Sequence, residues 1–393
     1  MTISPILPIY RRSDITMARG QGCYLFDEHE TRYLDFATGI GVNALGHNHP
    51  QVVDALKAQA AELWHCSNLY MHPGIQELAE RIVSDTFADT VFFCSTGSEA
   101  VECALKMARR YQYSQGHTSR TRFITFEGGF HGRSFAGISA GGNDVAREGY
   151  APLLDGFDRV AFNNLDAATN AVNEETAAIL LEPIQGEGGF IEAEDSFLQG
   201  LRALADEHGL LLIMDEVQSG LGRSGELLAH SKAGIKADIA TIAKAIGNGF
   251  PLAATLATEH AASGMTPGSH GSTYGANPLA MAVGHAVWKI ISREDFLQHI
   301  NAVGEELDKA LANLQQQFPN IIADIRGRCL MRGLRITDSS PISHYELAEQ
   351  LRHAGLLTAP AAGDRVIRLL PPLIIESQHV EQAVGILTQE LEK

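Results

Sequence analysis

The chain has 393 residues, 45% of them hydrophobic and 20% charged, which is typical of a globular protein of about two domains. Its formal net charge of −17 disfavours nucleic acid and anionic membrane surfaces as partners, and it has neither a secretory signal pattern nor an apolar stretch of membrane length, so we predict a soluble, cytoplasmic protein. Five scattered cysteines without a C-x-x-C pair argue against a disulfide framework or a zinc site.

The first 46 residues contain two short strand-like runs, at residues 23–26 and 33–36, and we expect this N-terminal segment to pack on the remainder. From residue 47 to residue 276, short apolar runs alternate with helical patterns. The runs are at residues 90–94, 123–126, 177–181 and 210–214, and the clearest helices are at 99–111 and 197–208. This alternation predicts a large domain with a mostly parallel central sheet sandwiched by helices.

From residue 277 to residue 393 the pattern changes. Long helices are predicted at residues 279–292 and 295–317, followed by strand-like segments at 327–336 and 366–370. These elements predict a smaller α+β domain at the C-terminus. In a parallel sheet, ligands bind beyond the carboxyl ends of the strands, so the residues just after each apolar run of the large domain are the candidates for function.

Three patterns suggest other functions but are incomplete. Residues 39–44 match the dinucleotide fingerprint G-x-G-x-x-A, yet the next helix begins near Pro50, too late to place its N-terminus on a pyrophosphate. The apolar run ending at Asp215 resembles the magnesium-binding strand of P-loop ATPases, but the chain contains no Gly-Lys pair. His47, His49 and His270 lack accompanying ligands at metal-binding spacing, so we predict no metal site.

A possible phosphate cradle lies between the apolar run at 90–94 and the helix that follows it. Thr96, Gly97 and Ser98 are small residues at a helix N-terminus, where free N–H groups and the helix dipole favour an anion. The same residues are equally compatible with a simple capping turn, in which Thr96 or Ser98 is the N-cap.

Two ionisable residues stand in strongly apolar surroundings. Asp215 ends a fully apolar run and needs a partner, either a nearby arginine or backbone N–H group, or a cationic ligand such as a protonated pyridine nitrogen. Lys244 lies in an apolar, glycine-rich run, where burial would lower its pKa and favour Schiff-base chemistry; a lysine that extends to solvent from a strand end is the alternative. A phosphate cradle, a buried carboxylate and a desolvated amine at one sheet edge are what pyridoxal 5′-phosphate (PLP) requires.

Six segments together resemble the class III (fold type I) PLP-dependent aminotransferases in order and spacing: residues 94–109, 126–134, 181–189, 212–222, 242–251 and 271–278. The resemblance extends over nearly the whole chain and implies the α/β fold of PLP fold type I. Residues 64–70 and 130–133 are typical of the branch that acts on N-acetyl-L-ornithine in arginine biosynthesis.

The resemblance also implies roles for the cofactor-binding residues. Lys244 would hold PLP as a Schiff base and move the substrate proton, and Asp215 would pair with the protonated ring nitrogen. Gln218 would approach the ring hydroxyl, while Phe130 would stack on the ring.

The phosphate of the cofactor would be bound by Thr96, Gly97 and Ser98, together with Thr273 of the partner subunit. The resemblance therefore implies a homodimer whose active site is completed across the interface.

The resemblance also implies that three further residues bind substrate. Arg133 would bind a substrate carboxylate with two parallel hydrogen bonds. Arg368 would take the second carboxylate of glutamate or 2-oxoglutarate, and Glu187 would pair with Arg368 when that carboxylate is absent.

The implied reaction moves the δ-amino group of N-acetyl-L-ornithine to 2-oxoglutarate in two half-reactions, a ping-pong mechanism. Its products are N-acetyl-L-glutamate 5-semialdehyde and L-glutamate. A related ω-aminotransferase acting on ornithine, succinylornithine, N-succinyl-diaminopimelate or 4-aminobutyrate would share every cofactor residue. A PLP aminomutase of the same fold is a further alternative, which would need no 2-oxoacid.

Overall fold

The computed structural model describes residues 5–361 and 364–393. No helix in these two ranges is both long and apolar enough to cross a lipid bilayer. Two 3₁₀ helices are described beside the α-helices and strands, at Ala229–Ala233 and Lys244–Gly247.

The strands, numbered along the chain, are β1 (Met17–Gln21), β2 (Tyr24–Asp27), β3 (Arg32–Asp35), β4 (Thr90–Cys94), β5 (Arg122–Phe126), β6 (Phe157–Val160), β7 (Thr176–Leu181), β8 (Ile184–Gln185), β9 (Ile191–Glu192), β10 (Leu211–Asp215), β11 (Ile239–Ile242), β12 (Ala253–Ala257), β13 (Ile322–Arg328), β14 (Met331–Ile336), β15 (Leu356–Leu357), β16 (Ala359–Pro360) and β17 (Val366–Leu369).

The α-helices are α1 (Thr38–Gly41), α2 (Pro50–Ala60), α3 (Pro73–Asp85), α4 (Gly97–Ser114), α5 (Phe135–Ala140), α6 (Leu165–Ala171), α7 (Asp195–His208), α8 (Glu259–Ala262), α9 (Pro278–Ile291), α10 (Glu294–Gln317), α11 (His344–His353) and α12 (Ser377–Leu391). The first of these is a single turn in which Gly39 and Ile40 have positive φ, so it is not a regular helix. The next helix does begin at Pro50, beyond the glycines of the dinucleotide-like motif.

The central sheet contains seven strands among the described residues, in the order β4-β12-β11-β10-β7-β5-β6. The five strands from β11 to β6 are mutually parallel, and β12 runs antiparallel to both of its neighbours. The mostly parallel α/β sheet expected from the sequence is confirmed. Because β12 is reversed, β4 again runs in the same direction as β11, and their carboxyl ends meet at one edge of the sheet.

Both faces of the central sheet are buried, as the unbroken apolar runs require. In β10, Leu211 and Ile213 belong to the hydrophobic cluster that contains the buried face of α4. Leu212 and Met214 point the other way and belong to the cluster that contains the buried residues of α7. A five-residue strand without a polar interruption therefore carries Asp215 into a water-poor environment at its last position.

One of the smaller sheets joins the N-terminal and C-terminal parts of the chain. Strands β1, β2 and β3 form a sheet that β15 completes, with β3 and β15 parallel and Leu34 beside Leu356. An antiparallel sheet of order β13-β14-β17-β16 lies in the C-terminal part. The prediction of one strand-like segment at 327–336 was wrong: β13 and β14 form a hairpin that turns at Cys329, whose φ of 53° is left-handed. Apolar residues continue through this turn, so composition does not mark it.

Candidate active site

A cavity of about 360 Å³ lies at the carboxyl-end edge of the central sheet. Its walls come from the segments that follow β4, β5, β7, β10 and β11, and from the segment that precedes β12. The lining residues are Val42, Ser95, Thr96, Gly97, Ser98, Val101, Phe130, His131, Gly132, Glu182, Asp215, Val217, Gln218, Ala243, Lys244, Gly249, Phe250, Pro251 and Leu252. All seven cofactor-binding candidates that the sequence predicts for one subunit are in this set.

Asp215 is only 3% exposed, and three donors hold its carboxylate. Oδ1 accepts hydrogen bonds from the Thr241 hydroxyl at 3.0 Å and from the Val217 backbone N–H at 3.1 Å. Oδ2 lies 2.7 Å from Nδ1 of His131. Because each oxygen has a protein donor, the protein itself fixes the orientation of the carboxylate.

His131 is the ionic partner of Asp215 and is 2% exposed. Burial alone would lower the pKa of the imidazole, but the hydrogen bond to Asp215 and the charges of Asp215 and Glu182 outweigh it and raise that pKa. The imidazole faces the carboxylate from the side of β5, and the raised pKa favours its protonated form.

Glu182 follows β7 and is 6% exposed. Its Oε1 accepts the Phe130 N–H at 2.8 Å, and its Oε2 accepts the Gly186 N–H at 3.0 Å. Burial raises the pKa of this carboxyl to about 7, although the charge of His131 and the two backbone donors act in the opposite direction. The site thus contains a second buried carboxyl group beside Asp215.

Lys244 is half-buried, lines the cavity and occupies the first position of a 3₁₀ turn after β11. Burial lowers the pKa of its ammonium group to about 8, with a smaller contribution in the same direction from Arg368; Glu187, Glu182 and Asp215 oppose the shift. Its φ of 49° lies in the left-handed region, which costs a non-glycine residue of the order of 1–2 kcal/mol. Strain of this kind is common at functional sites.

The cradle after β4 serves both as a capping turn and as a cavity wall. Thr96 is the N-cap of α4, and its hydroxyl accepts the Glu99 N–H at 3.3 Å. A Cβ atom at Gly97 would lie only 3.0 Å from Val217, so the absence of a side chain keeps the cavity open at the helix N-terminus. The two interpretations of this motif are therefore compatible.

The residues predicted to bind substrate lie outside the lining set. Arg368 is 2% exposed, forms an ion pair with Glu187 and donates to Gly186 O and Ala359 O, each at 3.2 Å. Arg133 is exposed, with its guanidinium carbon 5.3 Å from the Phe130 ring centroid. Thr273, which is predicted to bind the cofactor phosphate in a partner subunit, is exposed as well.

Comparison with known proteins agrees with this geometry. The class-III aminotransferase family model matches residues 9–391. A curated acetylornithine aminotransferase from Agrobacterium fabrum is 49% identical over 97% of this chain and 94% of its own length. The N-acetylornithine aminotransferase structure from Stenotrophomonas maltophilia has a TM-score of 0.85 and 34% identity, covering 97% of this chain and 96% of that one. A PLP-bound amine transaminase from an uncultivated Pseudomonas species has a TM-score of 0.91 and 31% identity, covering 100% and 99% of the two chains.

The cavity and these relatives define a PLP-dependent aminotransferase. The chain belongs to the class-III aminotransferase family.

The cavity fits PLP in its polar groups. Asp215 offers a fixed carboxylate for a protonated ring nitrogen, and Lys244 an amine for the aldehyde. The side-chain Oε1 of Gln218 is buried and has no hydrogen-bond partner among the described residues, so it is free to accept a hydrogen bond from a ligand hydroxyl. Gly97 leaves room for a group at the N-terminus of α4.

Three residues of this site were not predicted from the sequence: His131, Glu182 and Thr241. Of these, His131 and Glu182 directly or closely follow parallel strands, which is the rule that located Asp215 and Lys244. His131 is 84 positions from Asp215 in the sequence, so no local pattern indicates that the two side chains meet.

Proposed function

We propose that the protein transfers the δ-amino group of N-acetyl-L-ornithine to 2-oxoglutarate and acts in arginine biosynthesis. The observation that carries this proposal is the ion pair between Arg368 and Glu187 beside the PLP cavity. The enzyme must accept a dicarboxylate in one half-reaction and, in the other, an amine donor that lacks the second carboxylate. A buried arginine whose carboxylate partner can leave suits both substrates. The names of the most similar relatives support the same donor.

In this proposal, Lys244 binds the cofactor and carries the proton that moves on the substrate. Asp215 holds the ring nitrogen in its protonated form, Gln218 binds the ring hydroxyl and Phe130 packs against the ring. PLP, when bound, supplies the aldehyde that joins the amine and an electron-withdrawing ring. His131 contributes indirectly, by fixing the orientation of Asp215.

Substrate recognition is assigned to the charged residues outside the cavity wall. Arg133 binds the α-carboxylate end, and Arg368 binds the second carboxylate of glutamate or 2-oxoglutarate. When the donor occupies the site, Glu187 returns to Arg368 and neutralises it.

The active unit is proposed to be a homodimer, with Thr96, Gly97 and Ser98 completing the phosphate site together with Thr273 of the partner subunit. An exposed apolar patch supports this assembly, since exposed aromatic clusters of this kind mark interaction surfaces. The patch consists of Trp64, Leu69, Tyr70, Met71 and Tyr274. The hydrogen bond of 2.9 Å from Asn68 to Ser272 O holds its two segments together, and Ser272 precedes Thr273 directly.

The experiment that tests the substrate follows the visible absorption of the PLP-loaded protein during separate additions of N-acetylornithine, ornithine and N-succinyl-diaminopimelate. We expect the cofactor band to disappear at the lowest concentration and highest rate with N-acetylornithine. A better response to another amine would keep the reaction class and change the donor. Stoichiometric glutamate formation from 2-oxoglutarate would exclude the aminomutase alternative.

A further inference from the structure

Glu182 occupies an unusual position for a buried carboxylate, because its charge is not paired with a cation. Among residues 5–361 and 364–393, no arginine, lysine or histidine forms an ion pair with it, and its two oxygens are occupied by backbone N–H groups. Those two donors belong to Phe130, after β5, and Gly186, after β8. One side chain therefore connects two loops that are 56 residues apart in sequence.

The Gly186 end of this connection leads to the Arg368 ion pair. Gly186 O accepts from Nη1 of Arg368 at 3.2 Å, and the next residue, Glu187, is the carboxylate that pairs with the same arginine. The loop is also fixed at its other side, since Phe190 is fully buried and its N–H donates to Gln185 O at 2.9 Å. Between these two fixed points lies the three-residue span from Glu187 to Gly189, which would rearrange when Glu187 leaves Arg368.

Gly186 also touches the cofactor side directly. A Cβ atom at this position would lie 2.5 Å from Oε1 of Gln218, the unpaired oxygen of the cavity wall. The space between them does not admit even a methyl group, so a shift of the Gly186 backbone toward the cavity would displace Gln218. The Phe130 end leads to the same cavity, because Phe130 lines it and the following residue, His131, binds Asp215.

We infer that Glu182 is a positioning residue that couples the cofactor cavity to the Glu187–Arg368 ion pair. It does so by holding the Phe130 and Gly186 backbones with one carboxylate. This inference rests on the proposed function, in which Phe130 faces the cofactor and Glu187 moves. With Glu182 in place, the backbone beside Glu187 keeps a fixed position relative to Phe130 and the cavity wall. The ionisable groups that face the carboxylate are His131, Asp215 and Lys244, and its charge acts on both His131 and Lys244.

The test is the Glu182→Gln variant, which keeps the side-chain shape but turns an NH₂ group toward one of the two N–H donors. The matched control is Glu192→Gln, the same change on β9, where the carboxylate pairs with Arg328 and Lys232 and does not line the cavity. Two quantities are measured: the equilibrium dissociation constant for PLP, and the ratio of half-reaction KM values for glutamate and for the best amine donor.

We expect Glu182→Gln to weaken PLP binding about tenfold and to change the KM ratio severalfold, since one backbone N–H loses its acceptor and the other faces a neutral amide oxygen. The control should change neither quantity. A folded Glu182→Gln protein in which only one quantity changes would overturn the coupling, as would one in which neither does.

Should Glu182→Gln fail to fold, Glu182→Asp provides the second test, because it keeps the charge but is too short to reach both amides. It should change both quantities in the same way. Loss of folding in both variants would make the residue purely structural and would also overturn the inference. The PLP dissociation constant does not depend on the amine donor, so a wrong donor assignment would leave that result intact. A wild-type protein that does not bind PLP would instead refute the proposed function itself.

Discussion

The two ends of the site are built differently. At the cofactor end, Asp215 and His131 are almost fully buried, and every oxygen of Asp215 is bound within one chain. At the proposed substrate end, Arg133 is exposed, and the ion pair Glu187–Arg368 is the group to which recognition is assigned. A cofactor that never changes can be held by a saturated, rigid network, whereas two different substrates require groups that are free to exchange partners.

The cofactor end depends most strongly on Lys244. Replacing it by alanine removes the amine that is proposed to bind PLP and move the proton, and we expect kcat for glutamate formation to fall about 10⁴-fold. Lys232→Ala, at an exposed lysine paired with Glu192, is the control and should retain wild-type turnover. Substantial steady-state activity in Lys244→Ala would rule out this residue as the catalytic lysine.

Asp215→Asn tests whether charge or geometry matters at the cofactor end. The amide preserves the shape but loses the negative charge beside the ring nitrogen, so kcat/KM should fall roughly 10- to 100-fold, the range for a lost charged hydrogen bond. Thr241→Val is the comparison: it removes one neutral donor to the same carboxylate and should cost about fivefold. Equal losses in the two variants would show that orientation, and not charge, is the contribution of Asp215.

The lowered pKa of Lys244 makes PLP uptake depend on pH. With a pKa of about 8, the amine is about 10% neutral at pH 7, against less than about 0.1% for an ordinary lysine. The rate at which PLP-free protein gains the cofactor band should therefore rise about tenfold per pH unit and level off above about pH 8. A rate that keeps rising to pH 10 would contradict the lowered pKa.

The same shift has a consequence for the stability of the PLP-free protein. The folded-state pKa of Lys244 lies below the ordinary value of 10.5, so holding its ammonium group in the folded protein lowers the free energy of unfolding. This cost has its full value below about pH 8. This cost should decline between about pH 8 and pH 10.5.

The substrate end should respond in one half-reaction only. Glu187→Gln leaves Arg368 buried without a carboxylate partner, so we expect KM for the amine donor to rise about tenfold. KM for 2-oxoglutarate should change less than about threefold, because its own carboxylate pairs with the arginine. Glu194→Gln, at an exposed glutamate of the neighbouring segment, serves as control. If Glu187→Gln raised both KM values to the same extent, the proposed exchange of carboxylates at Arg368 would be refuted.

Much of the fold could be predicted from the sequence because the central strands are buried on both faces and contain few polar residues. The same rule placed Asp215 and Lys244 at one edge of the sheet. It did not resolve the hairpin at Cys329, where apolar residues continue through the turn. Nor did it indicate that His131 and Thr241 bind Asp215, since these contacts depend on strand order, which local patterns do not encode.

The substrate residues illustrate the other limit of sequence reasoning. The ion pair between Glu187 and Arg368 joins residues 181 positions apart, and only family resemblance suggested it. Arg133 is exposed here, as is Thr273, which is proposed to complete the phosphate site of a partner subunit; both roles stay predictions. Where a site is completed by a ligand or a second subunit, the sequence of one chain gives little indication of the final contacts.

The left-handed backbone at Lys244 has a consequence for protein engineering. Glycine, or to a lesser degree asparagine, would adopt a φ of 49° at lower conformational cost than lysine. A search for thermostable variants that scores folding alone would therefore favour replacement of the proposed catalytic lysine. Libraries built on this chain require an activity screen at position 244, because there the most stable sequence and the most active sequence differ.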